Sequence, residues 1–93
     1  MTEAKLQSDI IKYLRGKHCF VMKCGGAGVP VGTSDVFFCV EGFYGFIEVK
    51  ASKKSKFQPL QEEFIDKMIE WSWAKAIYPE NWLETKAELE RML

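Results

Sequence analysis

The chain has 93 residues, 47% hydrophobic and 28% charged, which suits a single globular domain spanning residues 1–93 and is too short for two ordinary cores. Its 13 basic and 13 acidic side chains cancel to a formal charge of +0, so any attraction to nucleic acid must be local rather than a property of the whole molecule. Three cysteines without a CxxC pair and a single histidine disfavour a disulfide scaffold, a zinc ribbon, Cys–His proteases and Ser–His–Asp hydrolases; carboxylate, lysine and oxygen-ligated-metal chemistry stay open.

Thr2 is a good N-cap, and Leu6, Ile10, Tyr13 and Leu14 recur at helical spacing, which predicts a helix from Thr2 to about Arg15 that stops at Gly16-Lys17. The polar start Met1–Lys5 lacks the apolar segment of a signal peptide, and no apolar run approaches the ~18–20 residues of a membrane span. The expectation is a cytoplasmic protein with no membrane partner. Cys19–Cys24 is short, apolar and partly β-branched, so it reads as a strand. The glycines and proline of Gly25–Ser34 forbid regular structure. That stretch has no Gly-Lys-Ser/Thr ending and no GxGxxG, so no nucleotide cofactor is expected. It exceeds the common loop length of ~2–6 residues, which favours a flap beside nucleic acid, Gly26 and Gly28 included, over a plain connection.

Asp35–Val40 reads as a second strand, Glu41–Gly45 as a turn with two glycines, and Phe46–Lys50 as a third strand, together an antiparallel hairpin. Lys53, Lys54 and Lys56 make a basic loop. A second helix is expected over Pro59–Trp71 with Leu60, Phe64, Ile65, Met68 and Ile69 on one side. Trp73–Tyr78 reads as a fourth strand and Asn81–Met92 as a last helix with Trp82, Leu83 and Leu89 apolar. The fold class is α/β, in the order α-β-β-β-α-β-α, with a mixed sheet flanked by helices.

The chemistry concentrates in Asp35 and Glu48-Val49-Lys50. Alternation along a strand puts Glu48 and Lys50 on one face and Ile47 and Val49 on the other. A hairpin folded at Glu41–Gly45 sets positions near 35 opposite positions near 50, so Asp35, Glu48 and Lys50 can converge. Two carboxylates and the Val49 carbonyl are hard oxygen ligands of the kind Mg²⁺ accepts, and a lysine beside them can orient a water. The bland alternative is a solvated Glu–Lys pair on an exposed sheet face. Glu3 falls in phase with Leu6, Ile10 and Leu14, either on the buried stripe or in a frayed first turn where acids favour the helix dipole. Gln61 shares the inner stripe of the second helix and could face the same site, or be a boundary glutamine. The basic loop beside the acids suits a phosphate backbone, or is simply solvated. No recognition helix with Arg or Asn stands out, so sequence-specific reading is not expected.

The order helix-Glu, Gly-rich loop, Gly-x-x-Asp, hairpin, Phe-Ile-Glu-Val-Lys, basic loop, Gln-Pro-Leu-Gln, from Glu3 to about Tyr78, resembles the VRR-NUC family, the virus-type replication-repair nuclease branch of the PD-(D/E)xK superfamily. The resemblance implies a restriction-endonuclease-like α/β core and Mg²⁺- or Mn²⁺-dependent cleavage of DNA phosphodiesters. Small stand-alone members imply a homodimer acting on branched DNA such as four-way junctions. Position by position, it implies that Asp35 and Glu48 are the catalytic acids, Lys50 the catalytic lysine, Gln61 the glutamine of the following helix and Glu3 the acid of the first helix. One departure is Ser34, where the family usually has proline, which bears on loop geometry rather than chemistry. A symmetric dimer would also suit a symmetric junction, with Trp71, Trp73, Phe43 and Tyr44 as contacts if they are not core. The competing readings are a non-catalytic nucleic-acid-binding module of the same fold, an adaptor in which Glu-x-Lys is incidental, and, among enzymes, an exonuclease or simple nickase.

Overall fold

The computed structural model describes residues 1–26 and 28–93. The first helix, α1 (Glu3–Gly16), starts where Thr2 Oγ1 accepts a hydrogen bond from the Lys5 N–H at 3.1 Å. Leu6, Ile10, Ile11 and Leu14 form its buried stripe. It ends in a Schellman turn: the Cys19 N–H reaches back to the Leu14 carbonyl and the His18 N–H to that of Arg15. His18 occupies the left-handed position of that turn at φ 65°, a place where glycine is the usual residue. The chain then reverses into β1 (Phe20–Lys23), one residue shorter at each end than Cys19–Cys24.

Next come β2 (Val36–Val40) and β3 (Phe43–Val49), paired antiparallel, then α2 (Pro59–Trp71), β4 (Trp73–Ile77) and α3 (Pro79–Met92). The element order and the mixed sheet are those expected. In the sheet order β1-β2-β3-β4, the first two pairings are antiparallel and β3–β4 is parallel, with α2 as the crossover. The helix α3 begins two residues before Asn81 because Asn81 serves the cap: its Oδ1 accepts from the Tyr78 N–H at 2.9 Å and its Nδ2 donates to the Ala76 carbonyl at 3.1 Å.

The hairpin turn is tighter than the expected Glu41–Gly45. Val40 faces Phe43, so only Glu41 and Gly42 turn, with Gly42 at φ +72°. Gly45 belongs to β3 and is needed there by close packing. A Cβ on it would stand 2.6 Å from the Trp73 carbonyl oxygen of β4 and 2.9 Å from the Phe38 ring.

The main core lies between α1, α3 and one sheet face, where Leu6, Ile10, Leu14, Trp82 and Leu89 meet Val36, Phe38, Ile47, Val49 and Ile77. The opposite face carries Phe37, Phe46 and, from α2, Phe64, whose rings follow one another at 5.2 Å centroid spacing. One correction concerns α2: Leu60 and Ile69 are exposed while Phe64, Ile65 and Met68 turn inward. Leu83 of α3 is apolar and exposed. Of the candidate dimer contacts, Trp71 and Tyr44 are exposed, whereas Trp73 and Phe43 pack against the core. No helix among the described residues is long and apolar enough to cross a membrane.

Candidate active site

The site forms where β2 begins and β3 ends. Val36 stands opposite Ile47, so the register continues to place Asp35 beside Glu48 rather than near Lys50. The two-residue turn causes this shift: moving the bend toward residue 41 slides the partners by two positions and still keeps Asp35 next to the Glu-Val-Lys strand. At the end of the ladder Asp35 Oδ2 accepts the Val49 N–H at 2.8 Å, in the place where the residue-34 carbonyl would follow in register. The Asp35 carbonyl is held by the Cys24 N–H at 2.8 Å, which ties β1 to the site.

Glu48 is 2% exposed, in a strand whose neighbours Ile47 and Val49 are fully buried. This contradicts the surface-pair alternative: α2 covers the face that would have been solvated. Lys50 Nζ stands 3.8 Å from Glu48 Oε2, and Gln61 bridges the two, accepting from Lys50 Nζ at 2.9 Å and donating from Nε2 to Glu48 Oε2 at 3.3 Å. Gln61 is fixed in turn by the Gln58 N–H at 3.0 Å. Lys50 also donates to the Lys56 carbonyl at 3.3 Å and lies 4.8 Å from the centre of the Phe57 ring, so its stem and charge are oriented on three sides. Glu48 Oε1 has no hydrogen-bond partner. Burial, then the Asp35 charge and a carboxyl–carboxyl contact with it, push the Glu48 carboxyl up to about 8, against the pull of Lys50.

Asp35, Glu48, Lys50 and Gln61 are thus brought together as the sequence predicts. Glu3 is not. It is exposed in the first turn of α1, a helix whose N-terminal end favours an acid, and reaches Glu48 only through its charge, the weakest influence there. Among the described residues no group of three or more His, Cys, Asp or Glu side chains could hold a metal ion. Mg²⁺ needs only one or two carboxylates and keeps several waters. Val49 turns its N–H toward Asp35 while Lys50 turns its own to Ile77 of β4, so the Val49 carbonyl points to the Asp35 side of the strand. Asp35, the orphaned Glu48 Oε1 and the Val49 carbonyl therefore share one end of the sheet.

Lys53, Lys54 and Lys56 are exposed and take part in no ion pair among the described residues. Their loop is shaped by Ser52 and Ser55, which accept main-chain N–H groups at 3.1 and 3.2 Å, and is tied to α3 by the Lys53 N–H on Glu80 Oε1 at 3.3 Å. Gly26 and Gly28 are exposed at positive φ, with open space where a Cβ would stand. The loop touches the site instead through Gly32, at φ +93°, where a Cβ would lie 2.7 Å from Leu60, the residue before Gln61. Sequence reasoning missed Phe57, Gln58 and the Lys56 carbonyl as supports of Lys50 and Gln61. An aromatic between a lysine run and a proline was the one signal available for Phe57; the main-chain contacts leave none. It also could not place Ser34, which is fully buried with an unpartnered Oγ.

No family model, no curated protein and no solved structure matches the chain.

Proposed function

We propose that this chain is a metal-dependent DNA endonuclease of the VRR-NUC type, hydrolysing phosphodiesters with Mg²⁺, for which Mn²⁺ can substitute. The proposal extends to branched DNA such as four-way junctions as substrate and to action as a homodimer. The observation that carries it is Glu48: an acidic side chain almost wholly buried against a second one, Asp35, is a costly arrangement for a merely structural residue. A divalent cation held by Asp35, Glu48 and the Val49 carbonyl would neutralise phosphate charge and polarise the scissile bond.

The chain's own residues supply the rest. In this reading Lys50 donates to a phosphate oxygen and orients the attacking water, and Gln61, which accepts from Lys50 Nζ at 2.9 Å, aims it. Glu48 must give up its proton before it can serve as an anionic ligand. Lys53, Lys54 and Lys56 lie on the loop directly after Lys50, where their charges can hold the DNA backbone. The non-catalytic binding module would need the basic loop alone, and gives no reason for burying Glu48 against Asp35.

The test is incubation of an end-labelled four-way junction, and of its linear duplex arms, with Mg²⁺. Junction-selective nicks are expected. Equal cutting of both would remove the selectivity and keep the nuclease; no cutting with either Mg²⁺ or Mn²⁺ would overturn the proposal.

A further inference from the structure

On a chain of zero net charge, where the charges sit decides how a polyanion can approach. The outer face of α2 is acidic: Glu62, Glu63, Asp66 and Glu70 line one groove together with Lys67. On the other side of the sheet, α1 and β1 enclose a groove of about 340 Å³ lined by Gln7, Ser8, Lys12, Arg15 and Lys23. Ser8, Lys12 and Arg15 follow at four- and three-residue spacing, one stripe of the helix, and Lys23 closes β1 alongside. Lys5, Lys17, Lys50 and Lys75 each have an acidic partner; Lys12, Arg15 and Lys23 have none among the described residues.

The groove lies on the face of the sheet opposite Asp35 and Glu48 and reaches the same end of the sheet through Lys23. Lys23 precedes Cys24, whose N–H holds the Asp35 carbonyl. Because β1 and β3 both run antiparallel to β2, Lys23 and Glu48 finish at the same end of the sheet. The Lys53–Lys56 loop leaves the end of β3 on the β4 side and is tied to the first turn of α3 by the Lys53 N–H on Glu80 Oε1.

We infer that the α1–β1 groove is a second phosphate-binding track, which carries the backbone of a duplex DNA arm on the side of the active site away from the Lys53–Lys56 loop. The inference rests on the nuclease reading and specifies how its substrate lies. The acidic face of α2 excludes the alternative path, and the unpaired guanidinium of Arg15 with the Ser8 hydroxyl offers the donors a phosphate takes.

Two variants, Lys12→Ala/Arg15→Ala/Lys23→Ala and Lys53→Ala/Lys54→Ala/Lys56→Ala, are compared with the wild-type chain by fluorescence anisotropy on a labelled duplex in EDTA across a salt series. Each phosphate contact contributes about 0.9 to the slope of log K against log salt, so the groove variant is expected to lose about 2–3 from the slope and about tenfold or more in affinity near 0.1 M salt. Wild-type affinity and slope in the groove variant would overturn the inference. If the triple variant does not fold, Arg15→Gln and Lys12→Gln singly must each lower the slope by about 1, and unchanged slopes overturn it equally. A wild-type chain that binds duplex but cuts no junction in Mg²⁺ or Mn²⁺ would overturn the nuclease reading while the slopes still decide the groove; one that binds no duplex would overturn the groove.

Discussion

At the scale of the residue, Glu48 and Ser34 are the two buried polar side chains whose oxygens lack partners among the described residues. Glu48 has its carboxyl raised to about 8, chiefly by burial and then by Asp35. In the unfolded chain it titrates near ~4.3. Between those values the folded state holds a proton that the unfolded state has lost, so the unfolding free energy falls as pH rises; the stabilising contribution is complete below the lower value and gone above the higher one. Urea unfolding of the metal-free protein should therefore show a loss on the order of a few kcal/mol between pH 5 and pH 8.5. Glu48→Gln, neutral at both pH values, should flatten that profile. A wild-type profile as flat as the variant's would refute the burial argument. Cation binding should run the other way, tightening with pH as the proton leaves. Ser34 is simpler. Its hydroxyl gains no hydrogen bond for its desolvation, so Ser34→Ala should raise stability by about 1 kcal/mol, read as a melting temperature several degrees higher. A lower melting temperature would mean that the Oγ has a partner after all.

At the scale of the element, local signals were strong wherever a period was clean. The stripe of Leu6, Ile10 and Leu14 marked α1 correctly, and the alternation of Ile47, Glu48 and Val49 marked the site strand. The hairpin register was not legible, because Gly42 and Gly45 are equally good turn residues in sequence. Only the carbonyl of Trp73, from a strand far along the chain, decides that Gly45 is a strand glycine. Glu3 misled for a related reason: helical phase says which side a residue faces but not whether the first turn is covered. The end of α1 yields a test of backbone strain. His18 holds a left-handed conformation unfavourable to side chains, so His18→Gly should stabilise by roughly 1 kcal/mol in chemical denaturation, and a destabilised variant would show that the imidazole contributes something beyond the turn. Gly32→Ala meets both a positive φ and a collision with Leu60, and should cost about 1–3 kcal/mol. Because Leu60 adjoins Gln61, that variant should also lose cleavage at temperatures where it remains folded.

At the scale of the whole molecule, the layers explain why charged side chains gather, covered, at one end of the sheet. The α1–α3 side takes Ile47 and Val49 into the main core, while α2 closes over Glu48 and Lys50 from the other side, so both faces of β3 are covered and its charged residues are desolvated. Desolvation is what strengthens the Asp35–Glu48–Lys50 interactions beyond their worth in water. The fold class and the meeting of Asp35, Glu48, Lys50 and Gln61 could be read from the chain because motif and strand order coincide. The supporting contacts of Phe57, Gln58 and the Lys56 carbonyl could not, because they depend on how a loop lies across a strand end. The central claim is that Asp35 and Glu48 act together as the seat of DNA hydrolysis. The most direct measurement is nicking of an end-labelled four-way junction in Mg²⁺ by the wild-type chain, Asp35→Asn and Glu48→Gln, with thermal melts confirming that all three are folded. The account predicts nicking by the wild type that stops in EDTA, and a loss of at least about 100-fold in each folded variant. Wild-type nicking rates in either folded variant would contradict it.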